Sequence, residues 1–250
     1  MDSLSAEEVL QLWERGESEA RIERALALAA HARPELAPSD LAALTVGEGQ
    51  LAVLGLRARM FGRNLQAVAS CPACQAAVEF NIDLRRLMPP GRGEGTGGAG
   101  MHTGEFDGWQ VQYRVPTMGD LASLARDFGP AQAGGRGWLL ERCVLEARSP
   151  DGVASSGAHL PAGVGTALAA AMAERDWAAE LATDLVCPEC SHAWRATLDA
   201  ADFCWSELSA LARRLLREVH ELAARYGWSE ADILRLSAHR RHAYLERIWS

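Results

Sequence analysis

The tetrapeptide C-P-x-C occurs twice in this chain, as CPAC at Cys71–Cys74 and as CPEC at Cys187–Cys190, 116 residues apart. Two cysteines separated by two residues supply a pair of soft ligands from one tight turn, and two such turns complete the tetrahedral shell of a structural zinc. The long span between them is no obstacle, because each turn can sit on its own hairpin and the insert only has to return. Cys71, Cys74, Cys187 and Cys190 are therefore the expected ligands of one zinc per chain. A redox dithiol of the thioredoxin type is the competing chemistry. That motif opens a helix after a strand, whereas here a strand follows each pair. Four buried cysteines without a metal are the remaining alternative.

The surroundings of the two motifs match as well. After CPAC, Val78, Phe80 and Ile82 alternate with Glu79, Asn81 and Asp83; after CPEC, Trp194, Ala196 and Leu198 alternate with Arg195, Thr197 and Asp199. This period of two belongs to half-buried strands. Short apolar stretches, LQAVAS and ATDLV, precede the two pairs. Each copy reads as strand, cysteine turn, strand, an internal repeat of about 19 residues. Segments 65–83 and 177–200 are thus the two halves of a zinc-ribbon-like module. The halves are expected to pack as neighbouring hairpins, with Val78, Phe80, Trp194 and Leu198 in one apolar layer beneath the metal.

The rest of the chain is mainly helical, which makes the fold class α+β. In the N-terminal region, 1–64, Ser5 and Glu8 form a capping box ahead of Val9, Leu10, Leu12 and Trp13. Helices are predicted over Glu19–His31, Asp40–Leu44 and QLAVLGLRARMF, the last ending at Gly62. The insert, 84–176, opens with a Gly-rich loop (PPGRGEGTGGAG) and a strand (WQVQYRV). Helices over Met118–Asp127 and Gly137–Arg148 follow, then a loop over Ser149–Gly163 and an Ala-rich helix to Glu174. In the C-terminal region, 201–250, Trp205, Leu208, Ala212, Leu215, Val219, Leu222 and Tyr226 step by three and four. That seam is expected to bury against the chain's own N-terminal helices. Gly227 ends the helix, Ser229 caps the next, and a last helix starts at Ser237.

Composition narrows the functional classes. No apolar run approaches the roughly 18 residues of a membrane-spanning helix, and the acidic start lacks the basic residues of a signal peptide. A cytoplasmic protein is expected. Six cysteines in a reducing compartment point to metal or catalysis before disulfides. A net charge of -8 opposes broad attraction to nucleic acid. All 25 basic residues are arginine, an excess that base composition explains. No phosphate-binding loop, G-x-S-x-G or H-E-x-x-H occurs, and the carboxylates read as scattered over helix surfaces. Cys143 and Cys204 fall in apolar patterns as small buried hydrophobes. His192 follows Cys190 closely but is superfluous beside four cysteines, and His220, His239 and His242 read as solvated.

Taken in order, VLQLWERG, CPACQAAVEFNID, LVCPECSHAWRATLD and the long aromatic helix from FCWSELSALARRLL to LERI resemble the zinc-knuckle baseplate proteins of contractile phage tails and phage-tail-like injection systems, relatives of the T-even phage baseplate hub assembly protein. The resemblance implies a non-enzymatic assembly factor or minor component of the baseplate hub, acting by binding other baseplate proteins. The expected partner surface is Trp228, Tyr244 and Trp249 with Arg240, Arg241 and Arg247, since aromatic and arginine side chains are the usual interface anchors. Two further readings stay open: a zinc-ribbon adaptor holding nucleic acid through ARRLLRE and HRRH, and a zinc-stabilised enzyme with a site the sequence does not reveal.

Overall fold

The computed structural model describes residues 4–87, 100–128 and 135–249; the Gly-rich segment predicted as a loop, 89–100, lies outside these except for its last residue, and so does the side chain of Trp249. The first helix, α1 (Ala6–Gly16), starts at the predicted capping box, with Ser5 and Glu8 bonding each other's backbone amides. α2 (Arg21–Ala32) and α3 (Pro38–Ala43) follow. α4 (Val46–Phe61) has a second capping box, Thr45 with Glu48, and stops at Gly62, whose φ of 86° suits a residue without Cβ. β1 (Asn64–Ser70) and β2 (Ala77–Asp83) form the first antiparallel hairpin, and Asp83 caps the short α5 (Leu84–Leu87).

The insert departs from expectation. One strand was foreseen, yet β3 (His102–Phe106), β4 (Trp109–Tyr113), β5 (Val144–Arg148) and β6 (Ala154–Ser155) build a four-stranded antiparallel sheet in that order. Asp107 and Gly108, both at positive φ, turn β3 into β4. Such a D-G dipeptide between two extended runs is a hairpin signal. α6 (Met118–Phe128) lies close to its predicted range. α7 (Gly135–Cys143) ends five residues before the predicted helix, and Val144–Arg148 becomes β5 instead. The free edge of β4 offers ladder hydrogen bonds there, and pairing leaves Ala147 fully buried. Tertiary pairing thus outweighs local helical preference. α8 (Ala162–Arg175) covers the sheet, and Val111, Tyr113, Cys143, Ala147, Val164 and Leu168 form a core between them.

The second hairpin, β7 (Leu181–Val186) with β8 (Ala193–Leu198), runs directly into α9 (Ala200–Tyr226), 27 residues long and capped by Asp199. α9 packs on α1, α2 and α4 along its first half. Leu28, Leu54, Leu208 and Leu215 are buried in this main core, each worth about 1.5–3 kcal/mol on transfer from water. Its second half meets α10 (Glu230–Arg235) and α11 (Ala238–Trp249) around a small core of Leu222, Ile233 and Leu245. The predicted seam is therefore shared between two cores. The fold is α+β and mainly helical. Among the described residues no helix is long and apolar enough to cross a membrane.

Candidate metal centre

The two hairpins repeat each other residue for residue. Leu65 pairs with Ile82 and Leu181 with Leu198; Ser70 pairs with Ala77 and Val186 with Ala193. Each of these relations is conserved under the 116-residue offset of the cysteines. The turns also coincide. Gln75 donates its amide to the Cys71 carbonyl at 2.8 Å, and Ser191 to that of Cys187 at 2.9 Å. Cys71 and Cys187 in turn donate to the carbonyls of Ala76 and His192, both at 2.9 Å. Gln75 and Ser191 sit in the left-handed region at φ 63° and 57°. An L-residue enters that region at a cost, so its presence twice marks a backbone shaped to aim both cysteines inward.

The four sulfurs converge: the Sγ atoms of Cys71, Cys74, Cys187 and Cys190 all lie within 4.8 Å of one another. Across the hairpins, Cys71 and Cys190 are 3.7 Å apart and Cys74 and Cys187 are 3.6 Å apart. Exchanging the two knuckles turns one contact into the other, as a local twofold requires. No disulfide is present. In each knuckle the first cysteine is buried and the second is exposed. Tetrahedral thiolate ligation at a metal–sulfur distance of about 2.3 Å demands sulfur–sulfur edges of roughly 3.8 Å. The group can hold a metal ion.

Electrostatics point the same way. Burial raises the Cys71 thiol, but the backbone amides of Cys74 and Ala73 and the thiols of Cys190 and Cys74 bring it down to about 7. At Cys190 the His192 amide favours the thiolate, yet the Cys74 thiol, desolvation and the remaining thiols push it up to about 12. Cys74 is raised too: the neighbouring thiols of Cys187 and Cys71 and its own desolvation outweigh the help of the Ala76 amide and the Cys190 thiol. Four adjacent thiols cannot all ionise unaided, and a divalent cation removes that conflict.

Only part of the predicted layer lies beneath the cluster. Val78 and Trp194, which occupy equivalent positions, pack there with Cys71, Cys187 and Ala76. Phe80 and Leu198 belong instead to the main core, because they stand one and two steps nearer the hairpin roots than Val78 and Trp194. His192 is not among the sulfur ligands; its ring is exposed and stacks on Trp194 at 6.3 Å. Cys143 and Cys204 are buried apart from the cluster, their thiols raised by desolvation to about 11 and about 12.

The predicted partner surface divides. Arg240 and Arg247 are exposed, and Trp228 and Tyr244 are half-buried. Arg241 is not a surface residue. It is only 4% exposed and binds Glu218 at 2.8 Å and the Leu236 carbonyl at 2.6 Å. Its place on the inner face of α11 beside Leu245 decides this, since its neighbour Arg240 points 100° away. His220, His239 and His242 are exposed as expected.

The scattered-carboxylate reading fails at two positions. Asp120 is buried and holds Arg114, Arg142 and both the amide and hydroxyl of Thr117. Asp176, 2% exposed, accepts from the Thr45 hydroxyl at 3.0 Å and the Gly47 amide at 2.9 Å, fixing the end of α8 to the start of α4. A Cβ on Gly47 would lie 2.1 Å from Asp176 Oδ1, so only glycine admits that contact. The predicted helix start at Gln50 leaves the cap at Thr45 unread, although its T-x-x-E spacing is a capping-box signature. The distant acid that completes the joint has no local signal. Arg57, also buried, makes a bidentate pair with Glu207 of α9 and binds the carbonyls of Gly62 and Asn64 at the root of the first hairpin.

Comparisons of the chain with protein-family models, with curated proteins and with solved structures find no match.

Proposed function

We propose that this chain is a non-enzymatic assembly factor or minor structural component of the baseplate hub of a contractile phage-tail-like injection system. In this reading Cys71, Cys74, Cys187 and Cys190 hold one structural zinc, and the protein acts by binding other baseplate proteins. A single observation carries the non-catalytic part: four thiols from two hairpins 116 residues apart converge within 4.8 Å. A metal with four thiolates keeps no open position for water or substrate, so such a site joins segments rather than running a reaction. Thiolate ligands and near-tetrahedral edges favour zinc among the common divalent metals. The baseplate assignment rests on the resemblance of the knuckles and the C-terminal aromatic helices.

Freshly purified protein should carry about one equivalent of zinc; less than about half an equivalent, or iron in its place, overturns the zinc assignment. Deleting the chain from a host that makes injection particles should stop baseplates from completing. Particles of normal yield and length without it overturn the assembly role.

A further inference from the structure

The C-terminal arm carries a surface that its own packing leaves unused. Tyr226 and Trp228 stack face to face with centroids 4.8 Å apart, and Tyr244 of α11 meets Trp228 edge-on at 4.9 Å and Tyr226 at 5.7 Å. Trp228 and Tyr244 cap the small core of Leu222, Ile233 and Leu245, while Tyr226 keeps 36% of its surface exposed. Along α11 the neighbours of Tyr244 at i-4 and i+3 are Arg240 and Arg247. Both are exposed, and among the described residues neither guanidinium has an ion pair or hydrogen bond. Ala243, between them on the same flank, carries no charge. The carboxylate of this helix, Glu246, stands on the other flank with His242 at 3.2 Å. The two free cations lie about 10 Å apart along the helix axis, one at each end of an aromatic strip.

Other arginines on the faces of α10 and α11 are paired, Arg241 with Glu218 and Arg235 with Asp232. Arg213, Arg217 and Arg225, unpaired among the described residues, belong to α9 and do not flank Tyr244 on its own helix. On a chain of net charge -8, an unneutralised pair is a local reversal of sign. We infer that this strip, taken with the assembly role proposed above, docks an acidic segment of a partner protein. The segment carries carboxylates about two helical turns apart that reach Arg240 and Arg247, with an apolar side chain between them packed on Tyr244. Charge complementarity selects the acid pair, and the aromatic strip supplies the buried area at low entropic cost. Nucleic acid fits less well. It calls for a continuous basic track and free aromatic faces, whereas Tyr226 and Trp228 already cover each other.

The probe is a synthetic amphipathic helix with two glutamates two turns apart and a leucine midway, set against its glutamine counterpart. Labelled-peptide anisotropy and tryptophan emission at low ionic strength read the binding. The glutamate peptide should bind saturably, and the glutamine peptide at least about fivefold more weakly. Arg240→Gln combined with Arg247→Gln should lose the same factor while metal content and melting temperature stay unchanged, since both side chains are exposed. Equal binding of the two peptides, binding by the double variant as tight as the parent's, or no saturable binding overturns the dock. So does displacement of the glutamate peptide by single-stranded DNA at concentrations below the peptide's own. In a particle-producing host the two proposals separate. If deletion abolishes assembly but the double variant assembles fully, the dock falls and the assembly role stands; if the peptide binds but deletion has no effect, the reverse holds.

Discussion

The paired cysteine hairpins and the joint that carries the insert both tie distant parts of the chain together, and they do so by opposite means. At the hairpin tips the whole apolar cluster is Cys71, Val78 and Cys187, with Ala76 and Trp194 leaning on it. At the joint, eight buried residues from Val111 to Met172 form a core of their own. There Asp176 clips the insert to Thr45 and Gly47, and Asp120 braces the insert internally through Arg114, Thr117 and Arg142, by ordinary hydrogen bonds and ion pairs. A region too small to bury much apolar surface needs a stronger tie, and four converging thiols provide the means for one. Where a core exists, buried polar groups only have to fix its orientation. The contrast predicts that metal chemistry will govern one region and proton chemistry the other.

The largest effect should come from the knuckles. Cys71→Ser with Cys187→Ser, or chelation of the parent, removes a link closing a loop of more than 100 residues, a loss on the order of 4 kcal/mol. Thermal unfolding and metal analysis measure it. Trp194 emission should shift to the red while amide exchange in the sheet of the insert stays slow. Equal loss of protection in both regions would erase the contrast.

Next is the root of the first hairpin. Arg57→Ala strands Glu207 and two carbonyls in a mostly buried site and should cost about 3 kcal/mol. The metal content should remain that of the parent, because the turn that shapes each cysteine pair lies at the other end of the strands. Loss of metal in this variant would show that root and tip act as one unit.

A smaller effect separates the two joint carboxylates by pH. Burial would raise Asp120, but bonds from Arg114, the Thr117 amide and Arg142 hold it down at about 2, below its ordinary value of 3.8. Its contribution is complete above pH 3.8 and fades as the pH falls towards 2, an amount of about 1 to 2 kcal/mol. Asp120→Asn should remove that slope, as seen in the difference between its acid unfolding curve and the parent's. Asp176 behaves oppositely, since burial raises it despite the Gly47 amide and Thr45 hydroxyl. Its contribution is complete below pH 3.8 and declines as the pH rises through its elevated value. Asp176→Asn should flatten that opposite trend. A variant that steepens it would mean the acid is stabilised as the anion after all.

What the amino-acid sequence determined by itself was local. The spacing C-P-x-C fixes the turn, the alternation Val78–Phe80–Ile82 and its copy Trp194–Ala196–Leu198 fix the strands, and Ser5 with Glu8, Gly62 and Gly227 fix helix ends. Each of these depends on neighbours within a few residues, so the chain states them directly. The four sulfurs were legible for a further reason: one motif written twice implies its own partner. Tertiary structure alone decided the rest. Val144–Arg148 became a strand because β4 had an edge to pair, and Arg241 left the surface because α11 turned that face towards Glu218. Asp176 became a buried clip only once the end of α8 reached the start of α4, and Asp120 only once α7 brought Arg142 beside Arg114. In each case the deciding contact comes from a segment whose position no local pattern encodes, and desolvation by that segment sets whether a polar side chain is a solvated charge or a structural bond.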